Sequence, residues 1–162
     1  MELTYEQVIE WLDQYEVGAD VVYEAVSGLS EKQLTTPPSP SKWSIAQIVA
    51  HLVDTELVMI HRMRTVMAEG AGTLHSFSQD AWVTALNVGT MPIDLSIATL
   101  RALRNYHART LRNLQPDTLI MMMENSGTHD VDGCLSAFDL LQKTVTHLHH
   151  HTRQINVIRN KQ

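Results

Sequence analysis

One stretch of the chain, residues 43–70, WSIAQIVAHLVDTELVMIHRMRTVMAEG, limits the possible folds more than any other. Ser44 is a good N-cap, and Gln47 stands three residues on, where its side chain can close a capping box. Trp43 precedes the cap and can staple onto Ile48. Ile45, Ile48, Leu52, Met59, Met63 and Val66 recur at helical spacing, and Gly70 and Gly72 mark the stop. The spacing predicts a helix over residues 44–69, about 39 Å long, with one apolar face. Such a face is buried only by packing against other elements.

Three further segments carry the same signature. Thr4 and Gln7 box the start of a helix expected over residues 4–27, with Leu3 placed to staple onto Val8. A third helix is expected over residues 94–113, with Leu95, Ala98, Ala102 and the intervening leucines as its apolar stripe. A fourth begins at Ser136, boxed by Asp139, and runs to about Asn160, with Leu141, Leu148, Ile155 and Ile158 inward. Between the first two, GLSEKQLTTPPSPSK holds three of the five prolines, and no long helix passes through it. The connection after Gly70 is expected to hold one short helix in SQDAWVTAL. The next, QPDTLIMMMENSGTHDVDGC, matches no motif, and its TLIMMM reads as a short strand or core filler. Few other residues look like strand. Four such helices make an all-α chain, one domain over residues 1–162, built as a four-helix bundle. All three loops are long, so the order of the helices stays open.

Composition removes several classes of function. The net charge is −6, with no block of lysine or arginine, so a nucleic-acid surface is not expected. No apolar run has the length of a membrane span, and the acidic start MELTYEQVIE does not read as a secretory signal. The single cysteine, Cys134, fits a reducing cytoplasm. There is no zinc-finger spacing, phosphate-cradling glycine loop or Gly-x-Ser-x-Gly elbow.

Nine histidines are more than such a composition predicts, and four of them fall in HLHHH at 147–151. On a helix His147 and His151 share one face, beside the Leu141–Leu148–Ile155 stripe. A pair at that spacing can grip a divalent ion, but two ligands make a weak site, and the pair taken alone reads first as surface histidines. His51 sits on the inward side of the second helix. Alone it reads as a hydrogen-bonded core histidine; opposite the pair it becomes a third ligand. His149 points away, and His150 lies between the two directions. His61 and His107, among Arg62, Arg64, Arg104 and Arg109, read as solvated, as do Asp54 and Glu56. His75 and His129 fall in loops. Asp54 and His150 are the candidates for a catalytic role, as proton acceptor or as a group orienting a ligand.

KWSIAQIVAHLVDTE, the spaced arginines, TLHSFSQDAWV and the closing HLHHHTRQI resemble the DinB/YfiT-like family of metalloenzymes. The last motif is similar to that family's His-x-x-His-His-x-x-Gln signature, although Thr152-Arg153-Gln154 stands where many members have Arg-Gly-Gln. The resemblance implies a four-helix bundle in up-down-down-up order and a divalent metal, nickel or zinc, on His51, His147 and His151. It also implies a homodimer and transfer chemistry with a low-molecular-weight thiol cosubstrate. The small-molecule substrate is not legible. With water bound, the same centre would hydrolyse an ester or amide, and a non-catalytic helical dimer with a structural metal or no metal is the remaining alternative.

Overall fold

The computed structural model describes residues 2–161. Four long helices form the body: α1 (Tyr5–Val26), α3 (Ile45–Glu69), α5 (Ile93–Arg112) and α7 (Ala137–Arg159), with short helices α2 (Glu31–Thr35), α4 (Gln79–Ala85) and α6 (Pro116–Glu124) in the connections. Capping boxes at Thr4/Gln7, Ser44/Gln47 and Ser136/Asp139 start α1, α3 and α7 as expected. Gly70 ends α3 in the left-handed conformation (φ 79°), which a residue without a Cβ adopts at little cost.

The directions of the helices follow from their cross-links. Arg101 bonds Asp20 and Arg112 bonds Asp13, so α5 runs against α1. Arg104 bonds Glu56 and Arg64 bonds Thr110, so α5 runs with α3. Arg159, at the end of α7, donates to carbonyls of Glu24 and Ala25 at the end of α1, making those two parallel. The order is therefore up-down-down-up. Helix α3 packs on α5 and α7, and α1 packs on the same two, so the first and second long helices lie on a diagonal. That arrangement sets α3 and α7, which carry His51 and the histidine run, side by side and antiparallel.

The core falls into two apolar clusters. One gathers Val8, Leu12, Met63, Leu111, Leu141 and their neighbours; the other gathers Ala19, Ile48, Leu52, Leu100, Leu148, Ile155 and theirs. A polar group ties three helices together between these regions. The Glu56 carboxylate accepts from Arg104 Nε at 2.8 Å and from the Tyr15 hydroxyl, and Arg104 Nη1 donates to the Tyr15 carbonyl at 3.0 Å. Arg104 and Glu56 are each 1% exposed.

Three expectations need correction here. Leu95, Ala98 and Ala102 face solvent; α5 buries Ile97, Leu100, Arg104, His107, Ala108 and Leu111 instead. The inward face carries an arginine and a histidine, so counting apolar residues selects the wrong side. For the same reason Arg104, His107 and Glu56 are interior, not solvated. TLIMMM is neither strand nor formless: it is the body of α6, opened by Pro116 in the first turn and buried through Leu119 and Met123.

Sheet structure lies on either side of α6. Strand β1 (Thr73–Leu74) pairs in parallel with β2 (Ser126–His129), which pairs antiparallel with β3 (Gly133–Ser136). A Cβ on Gly127 would stand 2.7 Å from the Gly72 carbonyl oxygen, so only glycine allows β2 this close. His129 is thus a buried strand residue whose Nδ1 accepts from the Val131 and Asp132 amides, not a loop residue.

The polar group also explains a glycine within α1. A Cβ on Gly18 would lie 2.1 Å from Arg104 Nη1, an atom held by the Tyr15 carbonyl, and 3.1 Å from Leu148 Cδ1. Helix propensity alone favours Gly18→Ala by about 1 kcal/mol. Displacing the guanidinium outweighs this, and the variant is expected to lose about 1–3 kcal/mol of stability in urea denaturation. A neutral or stabilised protein would show that Arg104 is not held as described.

Candidate metal centre

His51 lies two turns into α3, and its ring projects toward α7, where His147 and His151 stand one turn apart. His147 Nε2 is 3.3 Å from His51 Nε2 and 3.1 Å from His151 Nε2. One ligand atom from each ring falls within 4.8 Å of the other two. Nitrogens bound at about 2.0–2.1 Å to one tetrahedral ion stand roughly 3.3 Å apart. The spacing therefore suits a shared cation. It suits a self-contained hydrogen-bond network less well: a proton on His147 Nε2 serves only one of its two neighbours.

The electrostatics agree. Burial, then repulsion from His147 and His151, lowers the His51 pKa to about 3. Burial, then His151, His150 and the Arg104 cation, lowers His147 to about 4. His151 is lowered by burial, partly offset by its bond to Gln154. All three rings are neutral at pH 7, with lone pairs available for a Lewis acid.

Several neighbours fix the ring orientations. Gln154 Oε1 stands 2.9 Å from His151 Nδ1; a proton on Nδ1 donates to it and leaves the Nε2 lone pair facing the cluster. Trp43 packs against His51 at 4.9 Å between centroids and stacks on His151 at 6.4 Å. The Thr55 hydroxyl, one turn beyond His51, lies 3.3 Å from His51 Nε2. From sequence, Trp43 is legible only as a staple, and Thr55 carries no signal. Gln154 was visible as the last position of the HLHHHTRQ motif.

The cluster lies beside a cleft of about 570 Å³. Thr55, Met59 and His147 line its helical side, and His129, Asp132 and Leu135 of the β2–β3 hairpin line the opposite wall. The connection that matched no motif thus shapes the space next to the histidines. His150 is exposed, borders this cleft and touches His151 edge-on at 5.4 Å. Asp54 does not line it. That carboxylate faces a smaller cavity with Ser96 and Thr99, where Oδ2 has no hydrogen-bond partner and burial raises its pKa. His61 and His75 are exposed. Cys134 is an exposed free thiol on β3.

Comparison with known proteins gives a consistent picture. The family model of the DinB superfamily matches residues 14–155. A protein of Oceanobacillus iheyensis named "Putative metal-dependent hydrolase" is 25% identical over 96% of this chain and 87% of its own length. One of the same name from Bacillus mycoides is 26% identical over 98% and 89%. Among solved structures, YfiT from Bacillus subtilis superposes with a TM-score of 0.88 at 23% identity, covering 99% of this chain and 90% of its own. It is described as a probable metal-dependent hydrolase with an unusual four-helix bundle topology. At that identity the likeness shows the fold.

Elemental analysis of untagged protein incubated with zinc or nickel tests the cluster. His51→Ala, His147→Ala and His151→Ala should each lower bound metal strongly, and His149→Ala should not. Gln154→Ala should weaken metal affinity by about 10–100-fold, since it orients a ligand without being one.

Acid stability depends separately on His107, which is buried with neither ring nitrogen hydrogen-bonded among the described residues and has its pKa lowered to about 4 by burial and then by Arg64. The unfolded chain takes up this proton near pH 6.5 and the folded chain only near 4, so stability falls as pH drops through that window. His107→Leu should remove of order 3 kcal/mol of that loss. An unchanged acid limb in denaturation at pH 4–6.5 would show that His107 is not held neutral.

Proposed function

The chain belongs to the DinB superfamily, and from that premise we propose that it is a metal-dependent hydrolase whose divalent ion is held by His51, His147 and His151. One observation carries this reading: three neutral imidazoles bring one nitrogen each to within 4.8 Å of the others beside a cleft. A structural zinc site closes its shell with four protein ligands. Among the described residues the metal-ligating cluster contains three, which favours catalysis over a structural role. The names of the relatives support the same chemistry. Nickel and zinc both suit an all-imidazole set.

A divalent ion bound there supplies Lewis acidity, lowering the pKa of a nucleophile it holds toward neutrality and polarising a carbonyl. The chain's own groups do the rest. Gln154 and Trp43 keep the imidazoles oriented. The Thr55 hydroxyl is placed to hydrogen-bond whatever occupies the cleft side of His51. His150 is the titratable group at the mouth of the cleft and next to the ligands, and takes the proton given up by water as its oxygen adds to the substrate carbonyl. Cleavage of the acyl bond then returns that proton to the leaving oxygen or nitrogen. Asp54, turned into its own cavity, has no part in this.

The same centre would activate a thiol, and the S-transferase chemistry implied by the sequence resemblance is the alternative. It differs in product: a thioether from a thiol and a chlorinated or epoxide electrophile, rather than an acid from an ester or amide. Cytoplasmic residence is supported by the free, exposed Cys134, which suits a reducing compartment. No helix among the described residues is long and apolar enough to cross a membrane. A homodimer is supported by the α5 stripe that the core leaves uncovered, Leu95, Ala98, Ala102 and Tyr106.

Zinc- or nickel-loaded protein should hydrolyse members of a panel of aryl esters and anilides, and chelation or His147→Ala should abolish turnover. His150→Gln should lower kcat about 10²-fold or more, with metal content unchanged. Thioether formation without hydrolysis would transfer the assignment to the thiol reading. Light scattering should give a dimer that Ala102→Glu returns to monomer; a monomeric wild type would remove the role of the α5 face.

A further inference from the structure

The chain is acidic overall, yet its charges are distributed unevenly around the histidine cluster. A second cleft, of about 520 Å³, adjoins the first along α7, and His150 and Arg153 line both. Arg62, Lys143, Arg153, Lys42 and Lys161 line the two together, five of the 12 lysines and arginines; Asp132 alone of the 18 acidic residues does so. The inner cations are compensated. Lys143 pairs with Asp132 at 3.1 Å, and Arg62 donates to the His75 carbonyl. The outer ones are not: among the described residues no carboxylate lies within ion-pair distance of the Lys42 or Arg153 side chain, and neither side chain donates a hydrogen bond. Arg153 therefore stands at the junction of the clefts with its guanidinium uncommitted. Beneath it the outer cleft has an apolar floor from Pro38, Val157 and Ile158.

We propose that the substrate is an acyl compound with an anionic tail: its reacting carbonyl lies in the inner cleft at the histidines, and a short apolar spacer runs past His150. A terminal carboxylate or phosphate then meets Arg153 and Lys42 in the outer cleft. This rests on the metal-site reading above and adds to it the class of substrate. A planar guanidinium accepts either oxyanion bidentately, and Lys42 adds a point charge from the opposite wall. A cleft bounded by low-dielectric walls and one sign of charge also draws anions from solution, against the repulsion of the chain as a whole.

The test uses full-length protein loaded with cobalt(II), whose visible absorption reports ligands at the metal, and a matched set of hydroxamates. Acetohydroxamate is neutral beyond its metal-binding end; succinic monohydroxamate adds a carboxylate, and the corresponding phosphonate distinguishes the two oxyanions. The wild type should bind the charged probes roughly five- to tenfold more tightly than acetohydroxamate, with the preference shrinking as salt rises. Arg153→Gln with Lys42→Gln should erase that preference while leaving acetohydroxamate affinity unchanged. Lys32→Gln, a change outside both clefts, should alter neither.

Equal affinities in the wild type, or a preference that survives the double substitution, would overturn the anionic tail and leave the metal site standing. A parallel loss for all probes would also overturn it, since the substitutions would then be acting on the metal. Failure to take up cobalt at all would sink the metal reading, and the inference with it.

Discussion

The buried union of Arg104, Glu56 and Tyr15 is the constraint on which the rest of the bundle depends. Two apolar clusters pack without much directional preference, and helices bearing leucine and alanine stripes can slide by a turn at modest cost. An ion pair 1–2% exposed at both side chains cannot slide, because a displaced partner leaves an uncompensated charge in the interior. Glu56 follows His51 by five residues on α3, so fixing one fixes the other. Arg104 belongs to α5 and Tyr15 to α1, and the bonds between them set three helices in register. Of the long helices only α7 lies outside this union; it joins through apolar packing, the histidines and Arg159, which donates to the Glu24 and Ala25 carbonyls.

The placement of the histidines then has a consequence for charge. Burial and mutual repulsion make protonation of any ring costly, and Arg104 adds its field to the penalty on His147. Glu56 offsets part of that field but is committed to Arg104 and Tyr15. The cluster thus disfavours protons while presenting three lone pairs. A divalent cation answers that demand better than protons can, since one ion engages all three nitrogens at once. Such a site need not be strained to be selective: it asks for a ligand-binding cation with an affinity for imidazole.

How much of this was legible depended on whether the information was local. Capping boxes at Thr4, Ser44 and Ser136 are written within four residues, and the long helices they start were legible to within a residue or two. The i, i+4 relation of His147 and His151 is equally local. The family resemblance supplied the helix order, which the long loops had left open, and the cross-links of Arg101, Arg112 and Arg159 give the same order. The inward face of α5 is misread from sequence because its arginine, Arg104, is satisfied by groups some 50 to 90 residues away, Glu56 and the Tyr15 carbonyl. The sheet was missed for a related reason. Strands of two to four residues carry too little alternation to register, and Gly127 is explained only by its approach to Gly72.

That division between local and distant information follows the division of labour in the molecule. The three clustered imidazoles stand on the two longest helices, α3 and α7, where packing leaves them one arrangement. The cleft beside them is closed by the short β2–β3 hairpin, and the outer cleft by the proline-containing segment near Pro38. On the proposed reading, such a bundle keeps its histidine cluster fixed on the rigid helices while substitutions on the connections and at Lys42 and Arg153 redirect what enters. The position of Arg153 is the informative one: it lies two residues beyond His151, on the rigid element, and lines both clefts. On the proposed reading a side chain there is held in register with the histidine cluster and reads the far end of a substrate, which ties the choice of substrate to the geometry of the reaction.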